Sequence, residues 1–261
     1  MTQVDVNMFL GEYPFRDIGR WDTPVLLREM TRVGTDEAWV SHLGAIYRRD
    51  AAAGNAAVYA ASAFDPRLRP IPVVHPTQPG WVAALDEAVT RGAPAVRSDP
   101  TLHGQAAAGD EMRQLLAACA ERRLPLMMAV RLEDIRQRHP DDVATDLQPW
   151  AVRQLIRSHP TAHLIITHAD REFIEQVHFG STPEEAARLL WDICWVWGPP
   201  EDHLELLLRT VGIERFTFGT GVPLRLPETS VAKLHLLNLD AKSRARVTAG
   251  NLRAFTASPP S

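Results

Sequence analysis

The sequence predicts a single-domain α/β protein of the (β/α)8-barrel class. Strand-like apolar runs alternate with amphipathic helical runs from end to end, the pattern of a parallel sheet with crossover helices. Eight strand-like runs fit within 261 residues, and closed barrels often reach about 250 residues as one domain. No internal repeat, low-complexity segment or domain boundary interrupts the alternation, so residues 1–256 are expected to form one barrel.

Residues 4–9 read as the first strand, opening into a loop at Gly11. Thr23-Pro24 supplies an N-cap followed by proline at the first helical position, starting a helix over 24–33 that Gly34 closes. Further strands are expected over 37–40, 71–74, 95–97, 126–130, 164–167, 189–195 and 216–219. Helices are expected over 50–61, 81–90 (closed by Gly92), 108–122, 148–158, 200–210 and 228–236. Residues 257–261 read as a disordered tail.

Bulk properties narrow the function. Hydrophobic residues make up 45%, charged residues 23%, and the formal net charge is -4. That balance does not favour nucleic acid or an anionic membrane as partner. No stretch approaches the ~20 apolar residues of a membrane span, and residues 1–5 do not begin a signal peptide. A cytoplasmic location is expected. The two cysteines, Cys119 and Cys194, sit in apolar surroundings and read as buried thiols.

In a barrel of this class, functional groups cluster at the C-terminal ends of the strands. Those ends carry Asn7 and Phe9, His42, His75, then Arg97, Asp99 and His103. Beyond them come Arg131, Glu133 and Asp134, then His168, Asp170 and Arg171, then Asp192, and finally Thr220 and Gly221.

Five segments resemble the amidohydrolase superfamily, in particular the branch of metal-dependent aromatic-acid decarboxylases and metal-independent lactonases. Residues 5–16 are similar to a variant opening of the first strand. Val96-Arg97-Ser98-Asp99-Pro100 resembles the family's Arg-x-His-Pro, with Asp99 in place of histidine. Ile165-Ile166-Thr167-His168-Ala169-Asp170 resembles the sixth strand and its histidine. Phe218-Gly219-Thr220-Gly221-Val222-Pro223 resembles Phe-Gly-Ser-Asp-x-Pro, and Gly250-Asn251-Leu252-Arg253-Ala254-Phe255 the closing Gly-Asn-x-x-x-Leu/Phe. The resemblance implies a hydrolase or decarboxylase, and dimers are common among such barrels.

The departures fall on the metal positions. Asn7 and Phe9 stand where the family carries His-x-His, Gly221 replaces the eighth-strand aspartate, and Met128 and Val130 lie along the fifth strand. Phe9 and Gly221 offer no ligand atom, and a zinc site needs about three protein ligands. No metal at the family position and no cofactor are therefore expected.

The remaining residues carry two readings each. His168 is a general acid/base or substrate contact, or else a rim histidine; Asp170, two residues on, shares its face if the strand continues. Arg97 and Arg131 are an anion grip suited to carboxylate, or ion-pair partners of nearby acids. Asn7, His75, Asp99 and His103 are candidate substrate contacts, or loop structure. The tryptophans at 191, 195 and 197 read as packing on one face, or as an aromatic wall, with Asp192 on the other face.

Two functions follow. One is a metal-independent hydrolase, or less readily a decarboxylase, of a small anionic or cyclic substrate (amide, lactone or carboxylate). The other is a non-catalytic subunit, a pseudoenzyme, pairing with an intact amidohydrolase-family paralogue. The expected assembly is a homodimer or such a hetero-oligomer.

Overall fold

The computed structural model describes residues 2–257. Eight parallel strands follow one another: β1 (Val4–Leu10), β2 (Glu37–His42), β3 (Leu68–Pro70), β4 (Val96–Arg97), β5 (Leu126–Ala129), β6 (Leu164–Thr167), β7 (Leu189–Asp192) and β8 (Phe216–Thr217). They pair as β1-β2-β3 and β4-β5-β6-β7-β8, and two seams complete the ring. Val73 bridges Arg97 at the first. At the second, Val6 N–H donates to Phe218 O at 3.0 Å and Phe9 N–H to Val222 O at 2.8 Å.

The connecting helices are α1 (Thr23–Val33), α2 (Leu43–Tyr47), α3 (Ala52–Phe64), α4 (Trp81–Thr90), α5 (Asp110–Glu121) and α6 (Pro149–Arg157). They continue with α7 (Arg171–Phe179), α8 (Pro183–Ala187), α9 (His203–Leu207), α10 (Pro227–Leu236), α11 (Ala241–Ala245) and α12 (Asn251–Ala257). A large apolar layer joins strands to helices, with Trp191, Phe216, Leu115 and Leu155 among its members. A smaller cluster of Val4, Val6, Trp39, Ile71, Met127, Ile165 and Leu190, joined by Leu252 of α12, forms the barrel floor. Among the described residues no helix is long and apolar enough to cross a membrane. Both cysteines are buried and unpaired.

Strand β1 contains the irregularity that shapes the site. Its register against β2 shifts between Asp5 and Met8, the mark of a bulge, which re-aims side chains. Asn7 N–H leaves the ladder and donates to Asp5 Oδ1 at 2.9 Å. Val6 belongs to the floor, while Phe9 joins a cluster at the mouth with Ala129 and Leu132.

Several elements differ from the expectation. The third strand is continuous only over Leu68–Pro70; the expected 71–74 still pairs, Ile71 N–H with Val40 O and Val73 bridged to Arg97, but Pro70 and Pro72 lack an N–H and interrupt the ladder. Strand β7 stops at Asp192, so the three tryptophans do not share a face: Trp191 is in the helix-facing core, Trp195 covers the mouth and Trp197 is 56% exposed. The cap of α1 is Asp22, whose carboxylate accepts from Val25 N–H at 3.1 Å, and Thr23 is already helical. Helix α7 follows β6 where no helix was expected. Ala257, assigned to the tail, ends α12, and residues 258–261 lie outside the described residues.

Candidate functional site

At the C-terminal end of the strands, side chains from β1, β4, β6 and β7 meet in one buried network. Arg97 Nη2 donates to Asn7 Oδ1 at 2.8 Å. Since guanidinium only donates, Asn7 turns its oxygen to Arg97 and its NH2 the other way. That NH2 lies 2.9 Å from Asp192 Oδ2 and 3.2 Å from His168 Nδ1, with Cys194 Sγ at 3.9 Å. Asp192 Oδ1 accepts from His168 N–H at 3.0 Å and from the Cys194 thiol at 3.4 Å. Asn7, Arg97, Asp99, His168 and Asp192 are each no more than 3% exposed.

His168 takes a left-handed backbone, φ 57°, uncommon outside glycine and a candidate for functional strain. The turn ends β6 and points its N–H at Asp192. Burial, then the charges of Arg225, Arg97 and Arg131, hold His168 well below the usual imidazole value, so the ring is neutral. With Nδ1 accepting from Asn7, the single ring proton sits on Nε2, which has no hydrogen-bond partner among the described residues.

Arg97 lies over the Phe9 ring, guanidinium carbon 4.9 Å from the centroid. Its Nη1 is 3.7 Å from Asp99 Oδ2, too far for a hydrogen bond. Arg97 Nε and Nη1 and Asp99 Oδ2 are all buried without a hydrogen-bond partner among the described residues. Asp99 Oδ1 accepts Ala129 N–H at 2.6 Å, and burial raises its carboxyl above the usual range against the pull of Arg97. A crevice of about 10 Å³ lies between Asp99, Ala129, Arg131 and Glu133, about the room one water needs.

Other candidates serve elsewhere. Asp170 does not orient His168: the left-handed turn breaks the strand, so the two side chains do not share a face. Its Oδ1 caps α7 through Phe173 N–H at 2.9 Å and its Oδ2 pairs with Arg131 at 2.8 Å. Arg131 also pairs with Asp146 at 2.8 Å, so it fastens the loop after β5 and is not a free anion grip. His75 and His103 stack edge-on, centroids 4.4 Å apart, and their Nε2 atoms bond the carbonyls of Ala45 and Ile46 in α2. His42 caps α2 through Gly44 N–H.

The mouth above His168 is closed by Trp195, whose ring centroid is 5.8 Å from that of His168. Arg225, from the loop after β8, covers Trp195 with its guanidinium carbon 3.6 Å from the centroid. On the outer side lies a cleft of about 490 Å³ whose lining includes Cys194, Trp195, Trp197, Arg225 and Lys233. Burial lowers Lys233 to about 8, and its Nζ donates to the carbonyls of Ile193 and Cys194 at 2.9 Å. Sequence reasoning placed Asp192 among the strand-end polar residues and gave Trp195 an aromatic-wall alternative without assigning either to the site, and it gave Cys194 and Arg225 no role there. The signal for Asp192 was its alternation with the apolar Trp191, which turns it inward; that for Trp195 was the tryptophan run itself.

A sequence model of the family described as Amidohydrolase matches residues 7–255. A search of curated proteins finds no match. Among solved structures, 2,6-dihydroxybenzoate decarboxylase from Rhizobium is similar at 12% identity and TM-score 0.76, over 98% of each chain. A probable 2-pyrone-4,6-dicarboxylic acid hydrolase from Acinetobacter baumannii is similar at 12% identity and TM-score 0.69, over 99% of this chain and 100% of that one. A dihydroxybenzoic acid decarboxylase from Polaromonas, solved with bound manganese, is similar at 11% identity and TM-score 0.74, over 98% and 96%. At such identities the likeness carries the fold, a TIM barrel.

The residues here do not fit a metal at the position the resemblance implies. Asn7 presents NH2, not oxygen, toward His168; Phe9 and Gly221 have no ligand atom. A Cβ on Gly221 would lie 2.9 Å from His168 Nε2, so the imidazole already fills the room an aspartate there would use.

Proposed function

The chain belongs to the amidohydrolase family, and on that premise we propose a metal-independent enzyme acting on a small carboxylate-bearing or cyclic substrate, most readily by hydrolysis. The observation that carries this reading is the set of unpartnered buried atoms around one guanidinium: Arg97 Nε and Nη1, Asp99 Oδ2 and His168 Nε2. Each unpaired buried polar group costs roughly 1–3 kcal/mol. A ligand with a carboxylate and a reacting oxygen, together with the water that attacks it, supplies partners for Arg97 Nη1, His168 Nε2 and Asp99 Oδ2.

In this reading Arg97 holds the substrate carboxylate through Nη1, with Nη2 kept on Asn7. Asp99 Oδ2 accepts a proton from water in the adjoining crevice, its raised value favouring that role. The water attacks the carbonyl, and His168 Nε2–H donates to the developing oxyanion, a task for a neutral donor in a dry site. Collapse of the oxyanion restores the carbonyl and breaks the lactone C–O or amide C–N bond, and the leaving oxygen or nitrogen takes the proton that Asp99 accepted. Asn7 and Asp192 hold the ring. Substrate arrives through the cleft beyond Trp195, where Arg225, Lys233 and two tryptophans suit a planar anion. The test is turnover of carboxylate-bearing lactones and amides by the isolated protein, compared with His168→Gln and Arg97→Met. Turnover unchanged in either variant would overturn the mechanism.

The closure of the mouth favours a second reading, a non-catalytic subunit that pairs with an intact family member. None of the three larger clefts is lined by Asn7, Arg97 or His168. Activity of the isolated chain, or its appearance only with such a partner, separates the two.

A further inference from the structure

Three ligand-type side chains converge beside the place where the family would hold its metal. One ligand atom each from His168, Asp192 and Cys194 lies within 4.8 Å of the other two, and all three residues are buried. Around a tetrahedral zinc-class ion with bonds of ~2.0–2.3 Å, ligand atoms stand roughly 3.3–3.8 Å apart. The trio is therefore open by about an ångström at its widest. Its centre is not vacant: Asn7 Nδ2 is 2.9 Å from Asp192 Oδ2, 3.2 Å from His168 Nδ1 and 3.9 Å from Cys194 Sγ.

We infer that His168, Asp192 and Cys194 form a latent site for a zinc-class divalent cation, with the Asn7 amide nitrogen standing in the cation's place. The inference rests on the reading of Asn7 as a donor in a metal-free site. The NH2 group is the positive end of the amide dipole, and its two protons answer Nδ1 and Oδ2 as a cation would. Arg97 fixes that orientation by holding Oδ1. A thiolate, an imidazole and a carboxylate together suit zinc or cobalt and not magnesium or calcium. Cys194 is also among the residues lining the outer cleft. On binding, the Cys194 thiol releases its proton to solvent and the thiolate bonds the metal.

This differs from the family's metal position, because two of its three ligands come from β7 and the loop after it. It also explains why Asn7 differs from a passive loss of histidine. Replacing Asn7 by aspartate puts a carboxylate oxygen 2.9 Å from Asp192 Oδ2, an arrangement that calls for a proton or a divalent cation between the two.

The experiment titrates wild type, Asn7→Ala and Asn7→Asp with cobalt(II), following the near-ultraviolet thiolate-to-cobalt charge-transfer absorption. Both variants should bind one cobalt about 100-fold more tightly than wild type, since each displaced hydrogen bond costs roughly tenfold in affinity. Adding Cys194→Ala to Asn7→Asp should abolish the band. Folded variants that show no charge transfer, wild type that binds as tightly as they do, or a band that survives Cys194→Ala would overturn the inference. Should Asn7→Ala not fold, the isosteric Asn7→Asp decides alone. Absence of turnover in wild type leaves this titration untouched, so the two readings fail separately.

Discussion

Asn7 Nδ2 lies 3.2 Å from His168 Nδ1, and Arg97 on Asn7 Oδ1 makes the amide the donor in that contact. The consequence is a neutral imidazole with its proton on Nε2. Nitrogen-15 NMR of the ring should show the Nε2–H tautomer with no titration between about pH 8 and 5, where a free histidine would change charge. A midpoint near 6.5, or the Nδ1–H tautomer, would refute the assignment.

The same ring sets a pH dependence of stability. Its folded value lies well below the ordinary 6.5, with burial the main cause. As pH falls the unfolded chain takes the proton first, so the contribution is complete above about 6.5 and is lost below it, at up to ~1.4 kcal/mol per pH unit. Asp5, pushed up to about 6 by burial, acts in the opposite sense but is present in any His168 variant. Urea midpoints from about pH 8 to 5 should therefore fall less steeply for His168→Gln than for wild type. Parallel curves would contradict the buried neutral ring.

Arg97 sits at the centre of the charge balance. Arg97→Met leaves Asp99 and the Asn7 oxygen without their cationic partner in a fully buried place. The expected loss is about 3–5 kcal/mol, the range for removing one member of a buried ion pair, read as a shift of the urea midpoint. A shift smaller than about 1 kcal/mol would mean that Asp99 is protonated and Arg97 plays little part in holding it.

Gly221 and His168 compete for one space. Gly221 has φ +74°, and a Cβ there would meet His168 Nε2 at 2.9 Å. Gly221→Ala combines a left-handed backbone with that contact, and should cost at least ~1–2 kcal/mol while moving the His168 ring resonances. Unchanged His168 resonances would show that the space is larger than the structure has it.

The barrel was legible because period and length are global signals: the strand at Leu164–Thr167 and the helix at Trp81–Thr90 match the expected bounds. The third strand was placed three residues late because the apolar run 71–74 also pairs, as the Val73–Arg97 bridge, while the prolines at 70 and 72 break it from the continuous strand before it. At the site, Asn7, Arg97, Asp99 and His168 could be found as polar residues at strand ends. Asp170 misled because a capping aspartate and a catalytic one look alike in sequence; the Arg171–Glu175 pair and the apolar Phe173, Ile174 and Val177 mark the helix it caps. Cys194 and Arg225 belong to loops, and only the fold decides where a loop residue points.

The claim that the site works without a metal at the family position is tested most directly by elemental analysis of wild-type protein, purified without chelator, by inductively coupled plasma mass spectrometry. The expected result is transition metal far below one equivalent per chain, unchanged in His168→Gln. One tightly held equivalent per chain, lost in His168→Gln, would contradict the account.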